Sequence, residues 1–248
     1  MRLNAKERKR YARHLSLPEI GKAGQETLKK GRVLIIGAGG LGSPAAYYLA
    51  ASGIGILGLA DADVVEPSNL QRQILHFTPD VGRPKTESAA EKLKALNPEI
   101  KIQVYQKRLV PENAAEILQS FDFVIDATDN FSSKLMIADA CHAVKKPYSH
   151  AGILRFFGQT MTVIPGKTAC YRCVFESPPE DPQVPRGPLG AVPGVIGSLQ
   201  AIEAIKYILR LSDLLTNRLL TFDALKMKFR EVPVKRNPNC RLCAGTLS

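Results

Sequence analysis

The 248-residue chain has no tryptophan and only 6% aromatic residues, so platforms for stacking nucleic-acid bases are scarce. No continuous apolar run reaches the about 18 residues that a membrane-crossing helix needs, and none is expected. The stretch from Met1 to Arg10 is polar and charged and lacks the apolar centre of a secretory signal. The cytoplasm is therefore the expected compartment. Acidic residues are in deficit: 23 Asp and Glu face 34 Lys and Arg, a net charge of +11. Such a balance draws an acidic partner, whether a nucleotide, a nucleic acid or an acidic protein. No dense basic stripe interleaved with aromatics is present, which argues against nucleic acid. The run Lys6 to Arg10 reads equally well as one solvated helix face. What remains, 45% hydrophobic and 23% charged, is the composition of an ordinary globular protein.

Hydrophobic spacing predicts a helix from Ala5 to Leu15 and another from Ala23 to Leu28. Arg32 to Ile36 is a short apolar run before a glycine cluster, the pattern of a buried parallel strand. Helical spacing from Leu41 to Ala51 and a strand from Ile54 to Ala60 complete a βαβ unit. Pro84, suited to a helix start, opens a further helix that ends before Asn97. Strands at Lys101–Gln106 and Phe121–Asp126 and a helix at Phe131–Val144 follow. Beyond Tyr148, strands at Gly158–Ile164, Leu219–Asp223 and Phe229–Val234 read as antiparallel, and a helix runs from Val195 to Leu211. The fold class is thus α/β: a Rossmann-type mixed sheet, parallel in the N-terminal half, antiparallel in the C-terminal half, flanked by helices. A single domain over 1–248 is expected, with N-terminal helices (1–30), a nucleotide-binding half (31–150) and a second half (151–248). The stretch from Pro178 to Pro193 holds six prolines, too many for a regular element, so a mobile loop is predicted at about 176–194.

Gly37-Ala-Gly-Gly-Leu-Gly42 fits the spacing G-x-G-x-x-G between a strand and a helix. Gly37 permits the tight turn, Gly39 and Gly40 let backbone approach a phosphate, and Gly42 lets helix pack close to strand. The helix N-terminus supplies free N–H groups for the phosphates. Asp61 and Asp63, at the end of the next strand, suit ribose hydroxyls. NAD and ATP fit equally; the 2′-phosphate of NADP would be repelled. Three later segments favour ATP chemistry: Ser68-Asn-Leu-Gln-Arg-Gln73, Arg83-Pro-Lys85 and Thr128-Asp-Asn130. Attack of a carboxylate on an α-phosphate gathers negative charge and needs fixed cations, a divalent metal and a carboxylate to hold it. Arg72 and Lys85 are the candidate cations and Asp129 the candidate magnesium ligand. The bland readings are a surface ion pair for Arg72, a solvated helix end for Lys85 and an N-cap for Asp129. An oxidoreductase and a non-catalytic nucleotide sensor stay open.

Four of the five cysteines form two C-x-x-C hooks, Cys170 with Cys173 and Cys240 with Cys243, which together supply four thiolates for one structural zinc. Two disulfides are the competing reading, disfavoured in a reducing compartment. Cys141, inside a predicted helix, reads as a small buried hydrophobe.

These motifs, with Arg10-Tyr-Ala-Arg13 and Gly197-Ser-Leu-Gln-Ala-Ile-Glu-Ala-Ile-Lys206, resemble the ThiF/MoeB/HesA adenylyltransferases of thiamine and molybdopterin biosynthesis along nearly the whole chain. The resemblance implies that Asp61 binds the ribose of ATP, that Arg72 and Lys85 bind phosphates, and that Asp129 is the magnesium-linked catalytic carboxylate. It implies further contacts from Asn69 and Gln73, and a homodimer in which Arg13 reaches the neighbouring subunit's ATP site. The implied partner is a ubiquitin-like sulfur-carrier protein ending in Gly-Gly. Many relatives carry a loop cysteine that bonds covalently to the carrier. Here the position, about Gln183, is not cysteine and none lies between Phe175 and Gly194, so adenylation without that intermediate and a separate sulfur donor are expected.

Overall fold

The structure, a computed structural model, describes residues 2–177 and 187–244. The chain starts with α1 (Ala5–Arg10), α2 (Ala12–Leu15) and α3 (Gly21–Leu28). Asn4 and Glu7 cap α1 reciprocally, each side chain accepting the other's backbone N–H. The single helix expected over Ala5–Leu15 is divided at Tyr11, whose backbone leaves helical geometry as its buried ring hydrogen-bonds Asn97.

Next come β1 (Arg32–Ile36), α4 (Gly42–Ser52), β2 (Ile56–Ala60), α5 (Lys85–Leu96), β3 (Lys101–Tyr105), α6 (Pro111–Gln119), β4 (Phe123–Asp126), α7 (Phe131–Ala143) and β5 (Tyr148–Leu154). These five strands are parallel, in the order β3-β2-β1-β4-β5. Three antiparallel strands extend the same sheet: β6 (Phe157–Val163), β7 (Arg218–Asp223) and β8 (Lys228–Pro233). Between β6 and β7 lie α8 (Tyr171–Val174) and α9 (Ala191–Leu209). The expected mixed sheet is present.

Strand residues alternate between two cores, because successive side chains point to opposite faces. Val33, Ile35, Leu57, Leu59, Phe123 and Ile125 pack toward α4, α5 and α9. Leu34, Ile36 and Val124 pack toward α6, α7 and the cysteine cluster. Both faces being covered, the central strands β1, β2 and β4 are apolar along most of their length instead of alternating.

The elements α6, α8 and β5 escaped the sequence reading. The helix α6 starts at Pro111, and β5 contains the polar Ser149 and His150 inside its buried part. Helix α9 starts a turn earlier than expected, at Ala191, which shortens the predicted loop. Pro193 sits in its first turn, where no intrahelical N–H bond is lost. Residues 178–186 of that loop, with Gln183, lie outside the described residues. Helix α9 is long and apolar enough to cross a membrane by length and composition, but it lies on the sheet beside α4. Its buried Gln200 donates to the Asp126 and Ser149 carbonyls. Glu203 accepts from Thr162 and the Leu215 N–H. Its apolar character is that of a core helix.

Candidate active site and metal centre

The strand order reverses between β1 and β4, and their carboxyl ends form the crevice where such sheets take ligands. Gly37 turns the chain out of β1 with φ +99°, and a Cβ there would lie 2.7 Å from the Ala127 carbonyl oxygen. A Cβ on Gly42 would stand 1.9 Å from the Gly37 carbonyl oxygen, so side chains are excluded at both positions. The Ala38 N–H donates to Asp61 Oδ2 at 2.7 Å, and the Asp63 N–H to Oδ1 at 2.8 Å. Asp61 thereby ties the end of β2 to the glycine loop. The N–H groups of Gly39, Gly40 and Gly42 have no acceptor among the described residues, and they stand at the start of the 11-residue α4. That cradle suits phosphate oxygens.

The segment after β2 borders the cradle. Arg72 Cγ is 3.4 Å from where a Gly40 Cβ would sit, and Gln73 Nε2 is 3.5 Å from the same point on Gly39. Gln73 is buried with its Oε1 unpartnered. Buried Asn69 anchors this stretch: its carbonyl accepts the Arg72 and Gln73 N–H groups at 3.1 and 2.9 Å. Arg72 donates to the Ser68 carbonyl and makes no ion pair among the described residues, so it is not the surface pair of the bland reading. Lys85, at the first position of α5, is buried and pairs with Asp63 at 3.0 Å. It is no solvated helix end, and Asp63 is its holder.

Opposite, β4 delivers Thr128, Asp129 and Asn130. Asn130, not Asp129, caps α7 by accepting the Ser133 N–H. Asp129 is exposed and, among the described residues, accepts a side-chain hydrogen bond from Asn130 Nδ2 alone, at 3.3 Å, which leaves the carboxylate able to hold a cation. Beneath it Asp126 is buried, accepting from the Thr128 N–H and hydroxyl at 3.0 and 2.7 Å. Lys134 donates to the Thr128 and Ala151 carbonyls at 2.5 and 2.6 Å. Burial pushes the Asp126 carboxyl up, but the Lys134 charge and the His150 hydrogen bond outweigh it and carry the pKa down to about 2. Burial lowers His150 to about 4 against the pull of Asp126. Helix α9 closes the remaining side. Pro193 is 3.3 Å from a Gly40 Cβ, and a Cβ on Gly197 would meet the Leu41 carbonyl oxygen at 2.2 Å.

The four hook cysteines converge, their sulfurs all within 4.8 Å of one another. Cys170 to Cys173, Cys170 to Cys240 and Cys173 to Cys243 are 3.7, 3.5 and 3.4 Å. Disulfide sulfurs stand about 2.05 Å apart, whereas four thiolates at ~2.3 Å from one zinc are separated by ~3.8 Å. The Asn237 N–H also points at Cys173 Sγ, at 3.4 Å. The donor set and spacing fit a closed tetrahedral zinc.

Residues 11–242 match the profile described as the ThiF family. The chain belongs to that family. It is 43% identical over 245 residues to the SAMP-activating enzyme E1 of Haloferax volcanii, covering 97% of this chain and 90% of that protein. It is 43% identical over 252 residues to the sulfur carrier protein adenylyltransferase of Thermus thermophilus, covering 98% and 93%. The crystal structure of E. coli MccB with ATP superposes with a TM-score of 0.83 at 28% identity, covering 95% of this chain and 75% of that one.

In this ThiF-family chain the structure brings the glycines, Asp61, Asp63, Asn69, Arg72, Gln73 and Lys85 to one crevice, with Asp129 across it. It does not bring Arg13 there. Helix α2 packs at the far end of α4, where Tyr11 lies against Gly53, ~16 Å from the glycine loop by helix rise. Cys141 is fully buried with its thiol pushed well up by burial, in keeping with a packing role. Asp126, Lys134, His150 and His76 were missed from the sequence. Asp126 ends a predicted strand and so carried a signal; the other three become site residues only by long-range contact.

Proposed function

We propose that the protein is an ATP-dependent adenylyltransferase that activates the C-terminal glycine carboxylate of a ubiquitin-like sulfur-carrier protein. The observation that supports it best is the convergence of an open N–H cradle, Arg72 and Lys85 on one side with the free Asp129 carboxylate on the other. A relative named sulfur carrier protein adenylyltransferase, matched along nearly its whole length, supports the choice of substrate. The carrier carboxylate attacks the α-phosphorus, a new P–O bond forms, and the bond to pyrophosphate breaks. Asp61 binds the ribose; Arg72, Lys85 and the glycine-loop N–H groups hold the phosphates and stabilise charge on the leaving group. Asn69 and Gln73 orient the cradle. Asp129 would hold Mg2+, which supplies charge neutralisation when bound. A Gly-Gly tail suits the crevice, since bare backbone reaches a narrow site.

Arg13, remote from its own crevice, belongs in this reading to the site of a second copy in a homodimer. Residues 1–248 act as one adenylation domain. The zinc is structural, sulfur arrives from a separate donor, and the setting is cytoplasmic, where the thiols stay reduced. The likeness to MccB, whose crystal structures include complexes with MccA, favours a carboxylate other than a carrier's as the second reading.

The test is ATP–pyrophosphate exchange with magnesium and a panel of Gly-Gly-ended carriers. Stimulation by one carrier is expected. Asp129→Ala and Arg72→Ala should each abolish exchange; normal exchange in both, with folding intact, sinks the assignment. No exchange with any carrier, while ATP still binds, turns the assignment toward a non-protein carboxylate or a nucleotide sensor.

A further inference from the structure

His76 lies between the two phosphate-binding elements without facing the crevice, and only 3% of it is exposed. Its Nε2 is 2.9 Å from the Ala38 carbonyl oxygen in the glycine loop. Its Nδ1 is 2.9 Å from Ser88 Oγ, one turn along α5 from Lys85. Its own N–H donates to the Gln73 carbonyl at 3.0 Å. The imidazole thus joins the glycine loop to the helix that carries Lys85, and the backbone of the same residue ties in the Arg72–Gln73 segment.

Hydrogen-bond direction assigns the ring. A carbonyl oxygen only accepts, so Nε2 carries the proton. Burial lowers the imidazole pKa, Lys85 adds to this, and the Ala38 carbonyl, Asp80 and Asp61 oppose it. The ring is neutral, with a bare Nδ1 that accepts the Ser88 hydroxyl proton. Ser88 in turn accepts from Lys92 at 3.2 Å, and Lys92 pairs with Asp80 at 2.5 Å.

The consequence follows from peptide planarity. In a trans peptide the carbonyl of Ala38 and the N–H of Gly39 point in opposite directions. A carbonyl held inward to His76 turns the Gly39 N–H outward to the crevice. Asp61 fixes the preceding peptide by accepting the Ala38 N–H. Glycine, having no Cβ, is the residue least able to resist a flip of this plane. We infer that His76 is a positioning residue for the nucleotide phosphates: its Nε2–H locks the Ala38–Gly39 peptide in the orientation that offers the Gly39 N–H to the ligand. This rests on the ATP reading above.

The test compares ATP with adenosine by equilibrium binding to the full chain. In His76→Asn no donor reaches Ala38, and ATP binding weakens ~10-fold, about 1.4 kcal/mol, while adenosine binding stays within about 2-fold. In His76→Gln the amide nitrogen takes the place of Nε2 and returns ATP binding to within about 3-fold of wild type. Equal losses for both ligands, no loss for ATP, or a Gln variant as weak as the Asn variant overturns the positioning role. A measurement that needs no variant is the 15N spectrum of the wild-type histidines at pH 7. A protonated Nε2 with a bare Nδ1 is expected for His76, and the opposite tautomer overturns the assignment. Wild-type protein that binds no ATP would sink the nucleotide reading itself, whereas wild-type binding with no selective loss in His76→Asn removes only the role of His76.

Discussion

Asp126 and His150 share one buried hydrogen bond of 3.1 Å, and their shifted pKa values translate into acid sensitivity. His150 has a folded pKa near 4 against an ordinary 6.5. Unfolding allows it to take a proton as pH falls through 6.5, so its contribution is lost between about 6.5 and 4. Asp126 has a folded pKa near 2 against 3.8, so its contribution, complete above about 4, is lost as pH falls toward 2. Both act in the same direction, together on the order of a few kcal/mol. His150→Gln should lose less melting temperature than wild type between pH 7 and 5. An equal loss in the two proteins assigns the slope elsewhere. Lys134 is the buried cation of this group, and Lys134→Met should cost ~3–5 kcal/mol by leaving Asp126 unpaired, seen as a lowered denaturation midpoint. A midpoint unchanged from wild type contradicts the pairing.

Between elements, backbone proximity decides more than side-chain chemistry. Helix α9 rests on the start of α4 through Gly197, where any Cβ would press on the Leu41 carbonyl. Because that carbonyl belongs to the glycine loop, Gly197→Val should disturb the fold and the nucleotide site together. Overpacking of this kind costs ~1–3 kcal/mol, a fall of about 2–12 °C in melting temperature for a chain of this size, accompanied by weaker ATP binding. A lowered melting temperature with ATP affinity intact separates the two elements and refutes the coupling. Spacing made α9 readable as a helix, although its buried face takes in Gln200 and Glu203 and leaves Ile202 exposed. Its early start was not, because Pro193 reads as a loop residue until its position in a first turn is known.

Over the whole molecule, two features join distant stretches of chain. The cysteine hooks pair Cys170 with Cys240 and Cys173 with Cys243, each 70 residues apart. Closing a loop of that length is worth ~4 kcal/mol, so Cys173→Ser should release zinc and lower melting by on the order of 10 °C. Unchanged metal content removes the clamp. The second feature is the distance of Arg13 from its own crevice. On the proposed homodimer, mixing Arg13→Ala with Asp129→Ala subunits should restore about a quarter of wild-type exchange, since each mixed dimer would retain one intact site. No recovery on mixing places Arg13 outside the partner's site.

The sequence alone determined whatever depends on neighbours along the chain. The glycine loop follows from glycines within five positions of one another, each hook from cysteines three apart, and the central parallel strands from short apolar runs. The mixed sheet, the candidate phosphate ligands and the zinc ligands could all be read there, since local spacing is what turns, helix starts and chelating hooks require. Tertiary structure decided the roles that depend on approach between distant segments. It set His76 against Ala38, 38 residues away, and His150 against Asp126, 24 away. It paired Lys85 with Asp63, gave the α7 cap to Asn130 and placed Arg13 at the far end of α4. No periodicity encodes such contacts, because a histidine or lysine becomes a buried donor only when strand order and helix packing surround it with acceptors.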